Sequence, residues 1–138
     1  GYHTILFLMI LFLNHIVYIG FFGWSGIIDE MMILAFHLLL IIYWDFLWFV
    51  MNPHFTYKKF KQEHIPWYTD SEWIAGFPVD YWYALGLSGT LVGFSFLIDG
   101  ASVIIDQFLM TSFIAGLIWV GLIFASPLYH KWYHFIRR

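Results

Sequence analysis

Apolar residues run almost without interruption through four stretches of the chain, Thr4–Trp24, Ile27–Met51, Tyr81–Ala101 and Gln107–Pro127. None alternates with period two, which argues against the strands of a membrane barrel, and each supplies the roughly 20 residues of helix that a hydrocarbon core requires. The pattern predicts four transmembrane helices. Only Ser25 and Gly26 separate the first two, and a few residues around Asp106 the last two, so each pair is expected to fold as a tight antiparallel hairpin. The connecting stretch, residues 52–80, holds Pro53, Pro66 and Pro78 and the densest run of charge, too polar to span. The expected fold is an all-α integral membrane domain over residues 1–138, two hairpins joined by an interfacial loop.

Within that loop Phe55, Tyr57, Phe60, Ile65, Trp67 and Tyr68 interleave with Lys58, Lys59 and Lys61. The mixture suits a segment lying along the headgroups with its lysines in reach of anionic lipid. A plain interfacial loop rich in Trp and Tyr accounts for the same residues. Lys58, Lys59 and Lys61 follow the second span, and Lys131, Arg137 and Arg138 follow the fourth. With four spans these places share one side, so the positive-inside rule predicts that the loop and both termini are cytoplasmic. Asp29, Glu30, Asp99 and Asp106 fall on the other side. There Asp106 is expected to cap the fourth helix, and Asp29 and Glu30 to favour the start of the second through its dipole. The residues before Thr4 carry no basic region and lead into an apolar run about twice a signal h-region in length, so the first helix is expected to be retained.

Composition sharpens the picture by exclusion. The 138 residues are 62% apolar and 11% charged, against roughly 25% charged in a soluble domain. Such a chain cannot cover its own surface with polar groups. A net charge of −3 with no basic stripe gives no footprint for nucleic acid, and the absence of cysteine removes disulfides, thiolate metal sites and cysteine nucleophiles.

The third span carries Gly86, Gly89, Gly93 and Gly100, with Gly89 and Gly93 forming a GxxxG pair. Small residues on one face let helix backbones approach closely in lipid, so this helix is expected to be the packing hub. The face can be filled by the small residues Ser112, Gly116, Gly121 and Ala125 of the fourth span, or by transmembrane helices of other subunits.

Two constellations of ionisable residues stand out. His15 and His37 each lie about ten residues from the Ser25 turn, which puts them at nearly one depth in a hairpin. An ionisable group inside a membrane is costly unless paired or coordinated. Two imidazoles there can ligate a haem iron, a metal ion or a chlorin magnesium, or can be hydrogen-bonded pairs, His15 with Asn14 for example, that lock the hairpin. Glu30, His37, Trp44 and Trp48 share one face of the second span, so His37 points where a carboxylate also points. The second constellation gathers His3, His54, His64, His130 and His134 on the cytoplasmic side with Asp45, Asp70, Glu72 and Asp80 near them. His130 and His134, four apart, can chelate from one helical face, and a mixed His and carboxylate set fits zinc, iron, manganese or copper. Asp45 lies within its span and needs a partner such as His54, Lys131 or a bound cation, unless it closes a structural salt bridge or helix cap.

Two function classes follow. In the first the chain is a non-catalytic subunit of a larger membrane complex, packed through the glycine face and able to hold a metal or haem through His15 and His37. In the second it is a metal-dependent membrane enzyme, with His54, His64, His130 and His134 as ligands and Asp45 or Asp80 as base or further ligand, acting on a lipid-soluble substrate. Short turns and no extramembrane domain leave little room for a substrate pocket, which favours the subunit.

Overall fold

A computed structural model describes residues 2–55, 57–99 and 102–137, without the side chains of residues 2, 3, 99 and 102–105. The expectations placed on the side chains of His3 and Asp99, and on Gly100 and Arg138, lie outside the described residues.

Four helices are long and apolar enough to cross a membrane: α1 (Tyr2–Phe22), α2 (Ile27–Met51), α3 (Val79–Asp99) and α4 (Ser102–Ile136). The segment between α1 and α2 turns on two glycines with positive φ, Gly23 at 79° and Gly26 at 146°, conformations that a Cβ would strain. Asp29, in the first turn of α2, reaches back to accept from the Ser25 backbone amide at 2.5 Å and its hydroxyl at 2.6 Å. That carboxylate does what its place near a helix start predicts.

The last helix departs from expectation at both ends. Since α4 begins at Ser102, Asp106 sits inside it and does not cap it. At the other end the helix runs through Pro127 to Ile136, where a stop was expected at the proline. Proline has no amide to donate to the carbonyl of Ile123, four residues back. The Ser126 hydroxyl donates to that same carbonyl at 2.8 Å, replacing the missing partner and letting the helix continue.

Between α2 and α3 the chain is ordered as three single 3₁₀ turns, Tyr57–Lys59, Gln62–His64 and Pro66–Tyr68, followed by a small hairpin of β1 (Trp73–Ile74) and β2 (Phe77–Pro78). Ala75 and Gly76 connect the strands with φ of 51° and 83°. Positive φ at both central residues matches the right-handed twist of the paired strands.

The helices and the loop gather into two compact units, one of residues 1–41 and 84–112, the other of residues 42–83 and 113–138. In the first, α1 is half-buried along Leu6, Phe7, Ile10, Leu11, Asn14, His15 and Tyr18 and exposed at its other described side chains. Met32, Ile33, Ala35, His37 and Leu39 of α2 are buried. From α3, Ser88 and Ser95 are 1% exposed, and the Ser88 hydroxyl donates to the Ala35 carbonyl at 2.8 Å. The packing hub is therefore α2, and the close contact of α3 runs through Ser88 against the backbone at Ala35 instead of through its glycines. Gly86, Gly89 and Gly93 are exposed, and a Cβ built on any of them meets nothing within 4 Å among the described residues. The close approach expected at that face is not made there.

The second unit is an aromatic core. Phe46, Phe49 and Val50 of α2 pack with Phe60 and Ile65 of the loop and Tyr81 of α3, and Phe55, Tyr68, Trp73, Phe77, Trp119 and Ile123 close around them. Phe60 sits edge-on to Phe46 with ring centroids 5.2 Å apart, and 4.9 Å from Phe49, separations at which aromatic pairs attract beyond simple burial. The loop is thus a folded cap over the end of α2. Ile65 is fully buried while Tyr57, Lys58, Lys59, Lys61 and Trp67 face outward.

Candidate functional site

In the first unit three polar pairs tie α1 to α2. The Tyr18 hydroxyl donates to Asp29 at 2.9 Å. His15 places Nε2 at 3.0 and 3.2 Å from the two Glu30 oxygens, while its Nδ1 lies 2.8 Å from the Leu11 carbonyl. Asn14 Nδ2 donates to His37 Nδ1 at 3.3 Å. A carbonyl accepts only, so Nδ1 of His15 carries a proton. The bond to Glu30 then needs one more proton, held either on Nε2 of an imidazolium or on the carboxyl group. Either way both nitrogens of His15 are engaged.

His15 and His37 are therefore engaged by separate partners, His15 by Glu30 and His37 by Asn14. Residues 14 and 15 point about 100° apart on a helix, so Asn14 cannot share the face of His15. It reaches His37 instead. Glu30, expected on the face of His37, is taken by His15.

In the second unit Asp45 is the centre. One of its oxygens, Oδ2, accepts from the Tyr68 hydroxyl at 2.9 Å and from the Tyr81 hydroxyl at 2.6 Å. The expected protein partners, His54 and Lys131, give way to two phenols. The physical reason is desolvation: a phenol carries its apolar ring into the aromatic core, whereas an ammonium would lose its water there. Burial first, and then the Asp45 carboxylate, push the Tyr68 hydroxyl above the ordinary tyrosine range. No sequence motif pairs these residues, which lie 23 and 36 positions from Asp45. Their only signal was an acid within a span that needed a donor.

The histidines expected to gather as ligands are spread over protein partners. His54 Nε2 lies 2.9 Å from the Tyr133 hydroxyl, and its backbone amide donates to the Asn52 side chain. His130 Nε2 donates to the Met51 carbonyl at 3.2 Å, capping the end of α2. His134 is exposed against the Tyr133 ring, and His64 is exposed with Nδ1 3.8 Å from Glu63. The i, i+4 spacing of His130 and His134 is realised on α4, yet the two rings serve different contacts. Among the described residues no three His, Asp or Glu side chains converge to hold a metal ion. What His54, His130 and Tyr133 accomplish is to fasten the end of α2 and the start of the loop to the tail of α4.

Two buried polar atoms, Ser112 Oγ and Trp119 Nε1, find no hydrogen-bond partner among the described residues. The Trp119 ring packs on Tyr43 and Phe46 with centroids 5.5 and 5.2 Å away, so its indole serves the core as a hydrocarbon surface. Comparison with protein-family models, curated proteins and solved structures finds no match to this chain.

Proposed function

We propose that the chain is a non-catalytic subunit of a larger membrane protein complex, docking against a transmembrane helix of another subunit through Gly86, Gly89 and Gly93 of α3. The observation that carries this reading is the open glycine face. Ser88 and Ser95 already make the contacts of α3 with α2, and the glycines project elsewhere with nothing within 4 Å of where their side chains would start. Glycine in a helix interior costs about 0.5–1 kcal/mol relative to alanine. Close approach of a second backbone offsets that cost, and no such approach is made to them within the described residues. The engagement of Asp45, His54 and His130 by neighbouring side chains and carbonyls supports a tethering role for the polar residues. In this reading the helices form two antiparallel hairpins with the loop and both termini cytoplasmic. The order of the α1–α2 pairs, residue 14 with 37 and 18 with 29, supports the first hairpin.

Gly89→Leu with Gly93→Leu tests the subunit reading. Extracted in mild detergent and sized on a native gel, the unmutated chain is expected in a complex and the double variant alone, with unchanged helix content and melting. A double variant that stays in a complex of the same size overturns the proposal. Labelling of Lys58 by an impermeant reagent from outside intact cells would overturn the orientation.

A further inference from the structure

The first unit holds a half-open pocket of about 150 Å³ between α1, α2 and α4. Its walls are almost wholly apolar, with the rings of Phe36 and Phe108 among them, and it is bordered by the polar side chains of Asn14, Gln107 and Thr111. Asn14, which lines this space, spends its amide nitrogen on His37 and keeps its oxygen as an acceptor. Gln107 and Thr111, one helical turn apart on α4, find no side-chain hydrogen-bond partner among the described residues.

We infer that this pocket binds a lipid-soluble molecule with a single six-membered ring bearing a hydroxyl or carbonyl oxygen, the ring against Phe36 and Phe108 and the oxygen on Gln107. Size sets the first part of the class: a pocket of this volume matches a benzene-sized guest. Aromatic walls favour a ring over a flexible chain, because rings pair in offset or edge-on geometry and lose less freedom on binding. The polar border sets the second part. An amide facing hydrocarbon without a partner is costly, so a guest that pairs it is preferred over one of equal size that does not. The site is independent of the glycine face, since none of the three glycines lines it.

The test uses the full chain in detergent, with phenol, benzene and hexane as probes, read by saturation transfer from protein to ligand in competition titrations. Phenol is expected to bind saturably. Benzene should bind about five- to tenfold more weakly, which is the worth of one hydrogen bond, and hexane more weakly still. Gln107→Leu should bring phenol down to the level of benzene, and Val17→Trp, which fills the pocket from α1, should abolish both. Failure of phenol to saturate overturns the inference. So does equal binding of all three probes, the behaviour of a gap that any lipid tail fills. If Val17→Trp does not fold, the phenol-to-benzene ratio in the unmutated chain and in Gln107→Leu decides alone.

Discussion

The two units hold together by different means. In the first, helices meet through single polar pairs, His15 with Glu30, Tyr18 with Asp29, Asn14 with His37 and Ser88 with the Ala35 carbonyl. In the second, rings close over one another and a lone carboxylate orders two phenols at their edge. The difference follows from what each unit replaces. Between spanning helices an apolar side chain leaves lipid for a neighbour no less apolar than lipid, so burial gains little and a polar pair decides which faces meet. A loop with three lysines and a proline-rich backbone belongs where water reaches, and there ring burial is driven as in a soluble core.

If that contrast holds, the largest loss should come from the aromatic unit. Phe49 is fully buried and touches the rings of Trp48, Phe55, Phe60 and Trp67. Phe49→Ala is expected to cost about 3–5 kcal/mol, the usual range for emptying a buried ring site. Stability against a denaturing detergent measures it, and faster trypsin cleavage after Lys58, Lys59 and Lys61 should accompany it. A loss below about 1 kcal/mol would mean that the loop is not a cap on this core.

Asp45→Leu comes next. It removes the acceptor of two phenols while keeping the volume, and should cost about 2–3 kcal/mol, because hydrogen bonds to a charged group are stronger than neutral ones and their donors are left behind. An Asp45→Leu chain as stable as the original would place Tyr68 and Tyr81 among groups that water already serves.

Where legibility ended differs between the units for the same reason. The four spans were readable because length and hydropathy alone decide what crosses a bilayer. Which face of each span is buried was not, since α1 is apolar all round and only Asn14, His15 and Tyr18 mark its inner side. For the histidines, partner choice turned on the angle between residues 14 and 15. Gly86, Gly93 and Gly100 recur every seven residues, and so do Tyr81, Ser88 and Ser95, which hold the buried contacts of α3. Spacing names candidate faces; a carbonyl at the right distance, as at Ala35, chooses between them. For Asp45 the need for a donor was evident and the donors were not, because they come from a loop and from another helix.

The polar pairs of the first unit should be individually small. A double-mutant cycle on His15→Leu and Glu30→Leu is expected to return a coupling of about 1 kcal/mol, within the range of interhelical hydrogen bonds in membranes. A coupling indistinguishable from zero would shift the specificity of the α1–α2 contact onto Tyr18 and Asn14.

The smallest effect is one of pH, and it separates the units because Tyr68 belongs only to the second. Its hydroxyl is held above the ordinary tyrosine value by burial and by Asp45, so the folded chain keeps the proton longer than the unfolded one. Below the unfolded value, about 10, both states are protonated and the hydrogen bond to Asp45 contributes in full. As pH rises past that value the unfolded state gives up its proton first, stability falls, and the contribution is gone once the folded hydroxyl ionises too. Tyr68→Phe should therefore be less stable than the original chain near neutral pH, and the gap should close as pH climbs above about 10. Unfolding by denaturing detergent at a series of alkaline pH values measures the gap. No gap at any pH in the series would mean that Tyr68 contributes through its ring alone and that Asp45 is held by Tyr81.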